Sequence, residues 1–283
     1  MFRIDKAAKS INAAFMHLTA SAKGSSSQGS LVAFTLIDLI VAFCCVAVAA
    51  MFAVTAVAHS QPSSDRAVCA SHLRRLMQAW QMYADDNSGQ LVASIGTGEW
   101  VGGILDYSAS NGDNTNTLKL TSPQYAAIGP YVNSASIFHC PADNSTIQFA
   151  SGPKLRVRSY SMNSYIGPNP SPWNRNYQVM TRLTEIPRPD RVFIVLEEHS
   201  DSINDGSFIT DPGATGSSGA LVDFPASFHL GGINLGMADG NIAYWQWADA
   251  RTMPPVGSPL SLNVSSPNNP DVDRLAAATS YRK

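Results

Sequence analysis

Residues 31–40 read Leu31-Val32-Ala33-Phe34-Thr35-Leu36-Ile37-Asp38-Leu39-Ile40, and no charge follows until well past Ala58. The run from Leu39 to Ala58 is 20 residues of mostly Ala, Val, Phe and Cys. As a helix rising about 1.5 Å per residue it matches the roughly 30 Å hydrocarbon core of a bilayer. The sequence therefore predicts a transmembrane helix over 34–60. The alternative is a secretory signal cut after Ala56-Val57-Ala58, whose apolar region would ordinarily be about 7–15 residues.

Charge on either side of the run orients it. Residues 1–33 hold Arg3, Lys6, Lys9 and Lys23 against Asp5, a net of +3 in a chain whose total is −2. A basic segment before an apolar span stays in the cytoplasm. The expectation is a basic leader over 1–33, a single pass through the inner membrane, and a head in the periplasm or cell envelope. Charged residues are 14% of the chain, against about a quarter in ordinary soluble proteins. Nothing in that balance suits a nucleic acid as partner.

Asp38 stands out, because a carboxylate deep in lipid costs about 2.5–3.5 kcal/mol and calls for a compensating charge. Phe34-Thr35-Leu36-Ile37-Asp38-Leu39 resembles the Phe-Thr-Leu-Ile-Glu-Leu signature of type IV prepilins and type II secretion pseudopilins. Ala33 stands where that family usually has Gly, and Asp38 where it has Glu. The resemblance implies cleavage between Ala33 and Phe34 by a prepilin peptidase and N-methylation of Phe34. It also implies pairing of Asp38 with the amino terminus of a neighbouring pseudopilin in a homo- or hetero-oligomeric filament.

From Asp65 the apolar residues Cys69, Leu73, Leu76, Trp80 and Tyr83 recur at helical spacing, with Arg66, Arg74, Arg75, Gln78 and Gln81 opposite. This predicts an amphipathic helix over 61–88, with a break at Pro62, where a backbone donor is missing. Beyond Gly89 the periodicity ends. Short apolar runs between Gly, Pro, Ser and Asn clusters predict a β-rich head over 89–250, including a strand at Arg191–Leu196. Asp239-Gly240 between two apolar runs predicts a hairpin with a two-residue turn. Residues 251–283 read as a Pro/Ser/Asn-rich tail, extended or mobile. Together the expected fold is α+β and pilin-like: a long N-terminal transmembrane helix packed on an antiparallel β-sheet head.

Three further boxes carry the resemblance into the head. Cys140-Pro141-Ala142-Asp143 is similar to a Cys-Pro-x-Asp box, and Ser159-Tyr160-Ser161-Met162-Asn163 to a Ser-Tyr-x-x-Asn box. His229, followed after nine residues by Asp239-Gly240, is similar to the carboxy-terminal signature of prepilin-type processing-associated proteins.

Cys69 and Cys140 lie outside the apolar run and are the candidate disulfide in an oxidising compartment, the alternative being two separate buried thiols. Glu197, Glu198, Asp201 and Asp205 follow an apolar strand and are the candidate Ca²⁺ ligands, against the alternative of a solvated acidic loop. His229 reads as a structural group donating to Asp239 or to a backbone carbonyl. No fixed-spacing zinc motif, nucleophile elbow or phosphate loop is present, so the chain does not read as an enzyme. A hydrolase built on the 197–205 loop and His229 is the weakest alternative. A stronger one is a membrane-anchored exported binding module that does not polymerise and stacks sugars on Trp100, Trp173, Tyr177, Trp245 and Trp247.

Overall fold

The stripe that begins at Cys69 is buried because a sheet covers it. The computed structural model describes residues 36–169, 171–257 and 260–283, without the side chains of Asp38 and residues 49–63. Ala33 and Phe34, and with them the leader, the cleavage point and the methylation site, lie outside the described residues. The chain divides into two units, Met1–Val54 and Thr55–Lys283.

Helix α1 runs Leu36–Asp86. It continues through Pro62, so the predicted break is absent; one missing hydrogen bond does not interrupt the turns on either side. Gly89, in the left-handed region, ends the helix by donating its N–H to Ala84 O at 2.7 Å. The predicted transmembrane helix is corrected: among the described residues no helix is long and apolar enough to cross a membrane. The physical reason lies in how α1 spends its length. From Asp65 on it carries Asp and Arg residues and packs in the head, so it is not apolar along its whole length.

The head strands are β1 Thr146–Phe149, β2 Gly152–Leu155, β3 Tyr160–Asn163, β4 Phe193–Glu197, β5 Ser207–Phe208, β6 Ala220–Leu221, β7 Gly232–Met237, β8 Ile242–Gln246 and β9 Val264–Ser265. Short helices α2, Leu118–Thr121, and α3, Pro270–Thr279, complete the elements. The main sheet has the order β5-β3-β4-β7-β8. It is mixed rather than antiparallel, because β5 pairs with β3 in parallel.

Both faces of this sheet are covered, so β4 and β7 are buried along their whole length. One core joins Cys69, Leu73, Leu76, Met77 and Trp80 of α1 to Tyr160, Met162 and Ile194. The other joins Phe193, Leu196, Ile233, Leu235 and Trp245 to Leu275 and Ala278 of α3. Residues 251–283 are thus not an extended tail. β9 pairs with β6, and α3 closes the second core.

The hairpin β7–β8 forms, with Ile233 opposite Trp245. Its turn differs from the predicted one. Met237 and Asn241 close a three-residue loop, and only Gly240 has positive φ, at +84°. A type I turn followed by a left-handed Gly is the standard alternative to a two-residue turn.

Candidate functional site

Four residues distant in sequence meet at the end of β4. Cys69 comes from the buried stripe of α1. Cys140 follows the turn Ala135–Phe138 and is joined to Cys69 in a disulfide, with Cα atoms 5.4 Å apart and a sequence separation of 71. Glu197 is the last residue of β4, and His229 leads into β7. Glu197 is 0% and His229 1% exposed.

His229 Nε2–H donates to Glu197 Oε1 at 3.0 Å and lies 3.5 Å from Cys140 Sγ. A carboxylate accepts only, so the proton of that contact belongs to the imidazole. The second carboxylate oxygen, Oε2, accepts from the Asn234 N–H at 3.0 Å. The Asn234 amide also donates to Arg66 O of α1 at 3.2 Å, tying the strand to the helix. The imidazole is held from its backbone side as well: Tyr244 OH donates to His229 O at 2.8 Å, and Leu230, next in sequence, takes φ +55° to turn the chain into β7.

The two boxes brace this cluster. Asp143 is buried and accepts from Ser159 Oγ at 2.7 Å, Ser200 Oγ at 2.9 Å and Ser145 N at 3.0 Å. Ser159 Oγ in turn accepts from Cys140 N at 3.2 Å. Asn163 Nδ2 donates to Phe193 O and Thr279 O, both at 2.9 Å, and so joins β4 to α3. These polar residues act as buried clamps.

The structure separates residues that the sequence grouped. His229 bonds Glu197 rather than Asp239. The six residues of β7 put His229 and Asp239 about 20 Å apart, at opposite ends of the strand. Asp239 accepts from Asn241 N at 3.0 Å in its own turn, and with Gly240 it borders a cleft of about 590 Å³ that Arg74, Met77 and Trp80 also line.

The proposed calcium set also disperses, because side chains at successive strand positions leave opposite faces. Glu197 faces the cysteines. Glu198 Oε1 accepts from Ser202 Oγ at 2.7 Å. Asp201 accepts from Tyr107 OH and Gly257 N, both at 2.7 Å. Asp205 accepts from Ser207 N at 2.8 Å. Among the described residues the group whose ligand atoms do converge is Cys69, Cys140, Glu197 and His229. No spacing motif announces it.

A second buried charge set lies on the other side of Glu197. Burial pushes the Glu198 carboxyl well up, and the neighbouring Asp223 charge adds to that. Asp223 is pushed up to about 7, chiefly by burial. Arg158, fully buried near Glu198, Asp205 and Glu99, is lowered to about 10 by desolvation.

The aromatic platform does not exist as predicted. Trp100, Trp245 and Trp247 are buried; Trp100 Nε1 donates to Gly206 O and Trp247 Nε1 to Ala226 O, each at 2.7 Å. Trp173 alone of the tryptophans named is exposed, at 47%. Solvent does not reach His229 or Glu197. Comparison of the chain with protein-family models, curated proteins and solved structures gave no match.

Proposed function

We propose that this chain is a pseudopilin-like structural subunit of a type II secretion or type IV pilus-like system. In this reading a prepilin peptidase cuts between Ala33 and Phe34, Phe34 is methylated, and Asp38 pairs with the amino terminus of a neighbouring subunit. The head is carried outside the cytoplasm, where a Cys69–Cys140 disulfide is stable.

The observation that carries the reading is the first part of α1. Leu36, Ile37, Leu39, Ile40, Val41, Phe43, Val46 and Val48 are all exposed and cover most of the helix circumference, with Ala42 and Cys45 on the remaining side. A helix apolar all round needs cover. Lateral packing against the same segment of other subunits supplies it, with Asp38 as the charged group that fixes the axial register. The resemblance at Phe34–Leu39 and the ordered boxes at Cys140, Ser159 and His229 point the same way.

Co-expression with a prepilin peptidase, followed by mass spectrometry of the mature amino terminus, tests this. The expected product begins with N-methylated Phe34. An intact Met1 start, or a cut after Ala58, overturns the proposal. Asp38→Ala is expected to abolish filament formation while leaving the head folded.

A further inference from the structure

A disulfide is apolar and needs no charged company. Cys69–Cys140 nonetheless has a fully buried carboxylate and a fully buried imidazole against it, with one ligand atom from each of the four residues within 4.8 Å of the others. Burying an ionisable pair carries a desolvation penalty before its contacts repay any of it, and apolar residues of the same volume would fill the space at lower cost. Two sulfurs, an imidazole and a carboxylate are instead the donor types that zinc takes in tetrahedral sites.

We propose that the reduced form of this protein binds one zinc ion through the thiolates of Cys69 and Cys140, Nε2 of His229 and Oε1 of Glu197. The geometry is close to what the ion requires. Bonds of about 2.3 Å to sulfur and about 2.0–2.2 Å to nitrogen and oxygen place tetrahedral ligand atoms about 3.2–3.8 Å apart. His229 Nε2 is already 3.0 Å from Glu197 Oε1 and 3.5 Å from Cys140 Sγ. The two sulfurs must part, and the other ligand atoms, all within 4.8 Å of one another, must settle to that spacing.

Two surrounding contacts suit the role, while Nδ1 of His229 has no partner among the described residues. Asn234 N holds Glu197 Oε2 and leaves Oε1 turned to the cluster, while Tyr244 OH fixes the backbone that carries His229. Outer contacts of this kind orient ligands in metal sites. Asn234 and Tyr244 are positioning residues.

The redox step balances as a thiol–disulfide exchange. A dithiol reductant becomes a disulfide, and its two electrons and two protons pass to the sulfurs of Cys69 and Cys140. Zinc displaces both thiol protons to solvent. His229 keeps one proton, now on Nδ1, while Nε2 binds the ion. The oxidised pair has no thiolate to offer, so disulfide and zinc exclude each other.

The test uses the full chain, reduced anaerobically, freed of reductant and titrated with Co²⁺. One equivalent is expected to bind with thiolate-to-cobalt charge transfer and the visible bands of a tetrahedral ion, and zinc is expected to bleach both. The oxidised chain is expected to give neither signal. His229→Gln and Glu197→Gln should each weaken cobalt binding at least about tenfold, and Glu198→Gln should leave it unchanged. A reduced chain without thiolate charge transfer overturns the proposal. So does unchanged affinity in both the His229 and Glu197 variants, which would leave binding to the thiols alone. A reduced chain that loses its near-ultraviolet circular dichroism sinks the idea if cobalt does not restore the signal, and supports it if cobalt does.

Discussion

Asn163 shows how much of this head rests on single buried polar side chains. Its amide donates to Phe193 O and Thr279 O, and its oxygen accepts from Tyr165 N at 2.9 Å. Asn163→Ala orphans three buried backbone groups and is expected to cost about 2–3 kcal/mol, read as a shift in urea midpoint at constant slope. Asp223 acts through its proton. Its ordinary value is 3.8, and the fold raises it to about 7, mainly by burial, with the Ile209 N–H bond opposing and the Asp205 charge adding. The folded chain therefore holds this proton more tightly than the unfolded one. The group's contribution is most favourable below its unfolded value, and it is lost as pH rises from about 4 through about 7. Glu198, raised by burial and by Asp223, pushes the same way. Asp223→Asn keeps an acceptor for Ile209 N and removes the titration. Thermal melts of native chain and variant are expected to agree near pH 4 and to favour the variant near pH 8. Equal melting at both would contradict the assignment. At this scale the sequence was partly legible. Cys69 and Cys140, the two cysteines outside the apolar run, are the pair that the structure joins. The partner of His229 was misassigned, because Glu197 lies 32 residues away and only the pairing of β4 with β7 brings it near.

Element packing turns on how closely α1 approaches the sheet. A Cβ at Gly236 of β7 would sit 2.5 Å from Cγ and Sδ of Met77. Gly236→Ala is therefore expected to overpack the interface by about 1–3 kcal/mol. The cost should shrink by at least about 0.5 kcal/mol when Met77 is first replaced by Ala, a coupling that a double-mutant cycle measures. Additive effects would mean that the two residues do not share the contact. The disulfide fastens the same helix. It closes a loop of 71 residues, for which chain entropy gives about 4 kcal/mol. A Cys69→Ala/Cys140→Ala chain, metal-free, is expected to lose stability on that order in urea unfolding. The elements themselves differed in legibility. The helical stripe and the β7–β8 hairpin were plain, because period and turn residues agree there. Helix α3 was hidden by composition although its start signal is present: Asn269 accepts from Asp271 N at 2.9 Å, Pro270 follows it, and Asp271 and Asp273 occupy the first turn. Averaging over a Pro- and Asn-rich segment masked a cap of four residues.

For the whole Thr55–Lys283 unit, the sequence could not reveal that the sheet is buried on both faces. Strand order depends on long-range pairing, and β5 has only two residues with which to signal a parallel edge. A one-sided pilin-like sheet would leave Trp245 and Trp247 open to solvent, as the sugar-stacking reading supposed. The second layer covers them, and α3 is its principal part. Val272, Leu275, Ala276 and Ala278 are buried, and Arg274 lies over the Trp245 ring at 3.9 Å. The Asp271 carboxylate accepts from the N–H groups of Ala248 and Asp249, at 3.0 and 2.9 Å. Burying Val272 and Leu275 contributes about 1.5–3 kcal/mol each, a large part of the roughly 5–15 kcal/mol that holds a domain together. Ending the chain after Pro267 removes those contacts and the Thr279 acceptor of Asn163 at once. The truncated protein is expected to keep its far-ultraviolet signal, lose near-ultraviolet circular dichroism, bind a hydrophobic dye and melt without a sharp transition. A sharp melt with unchanged near-ultraviolet signal would show instead that the α1 face alone sustains the sheet, and that the carboxy-terminal layer is an addition to a head already complete.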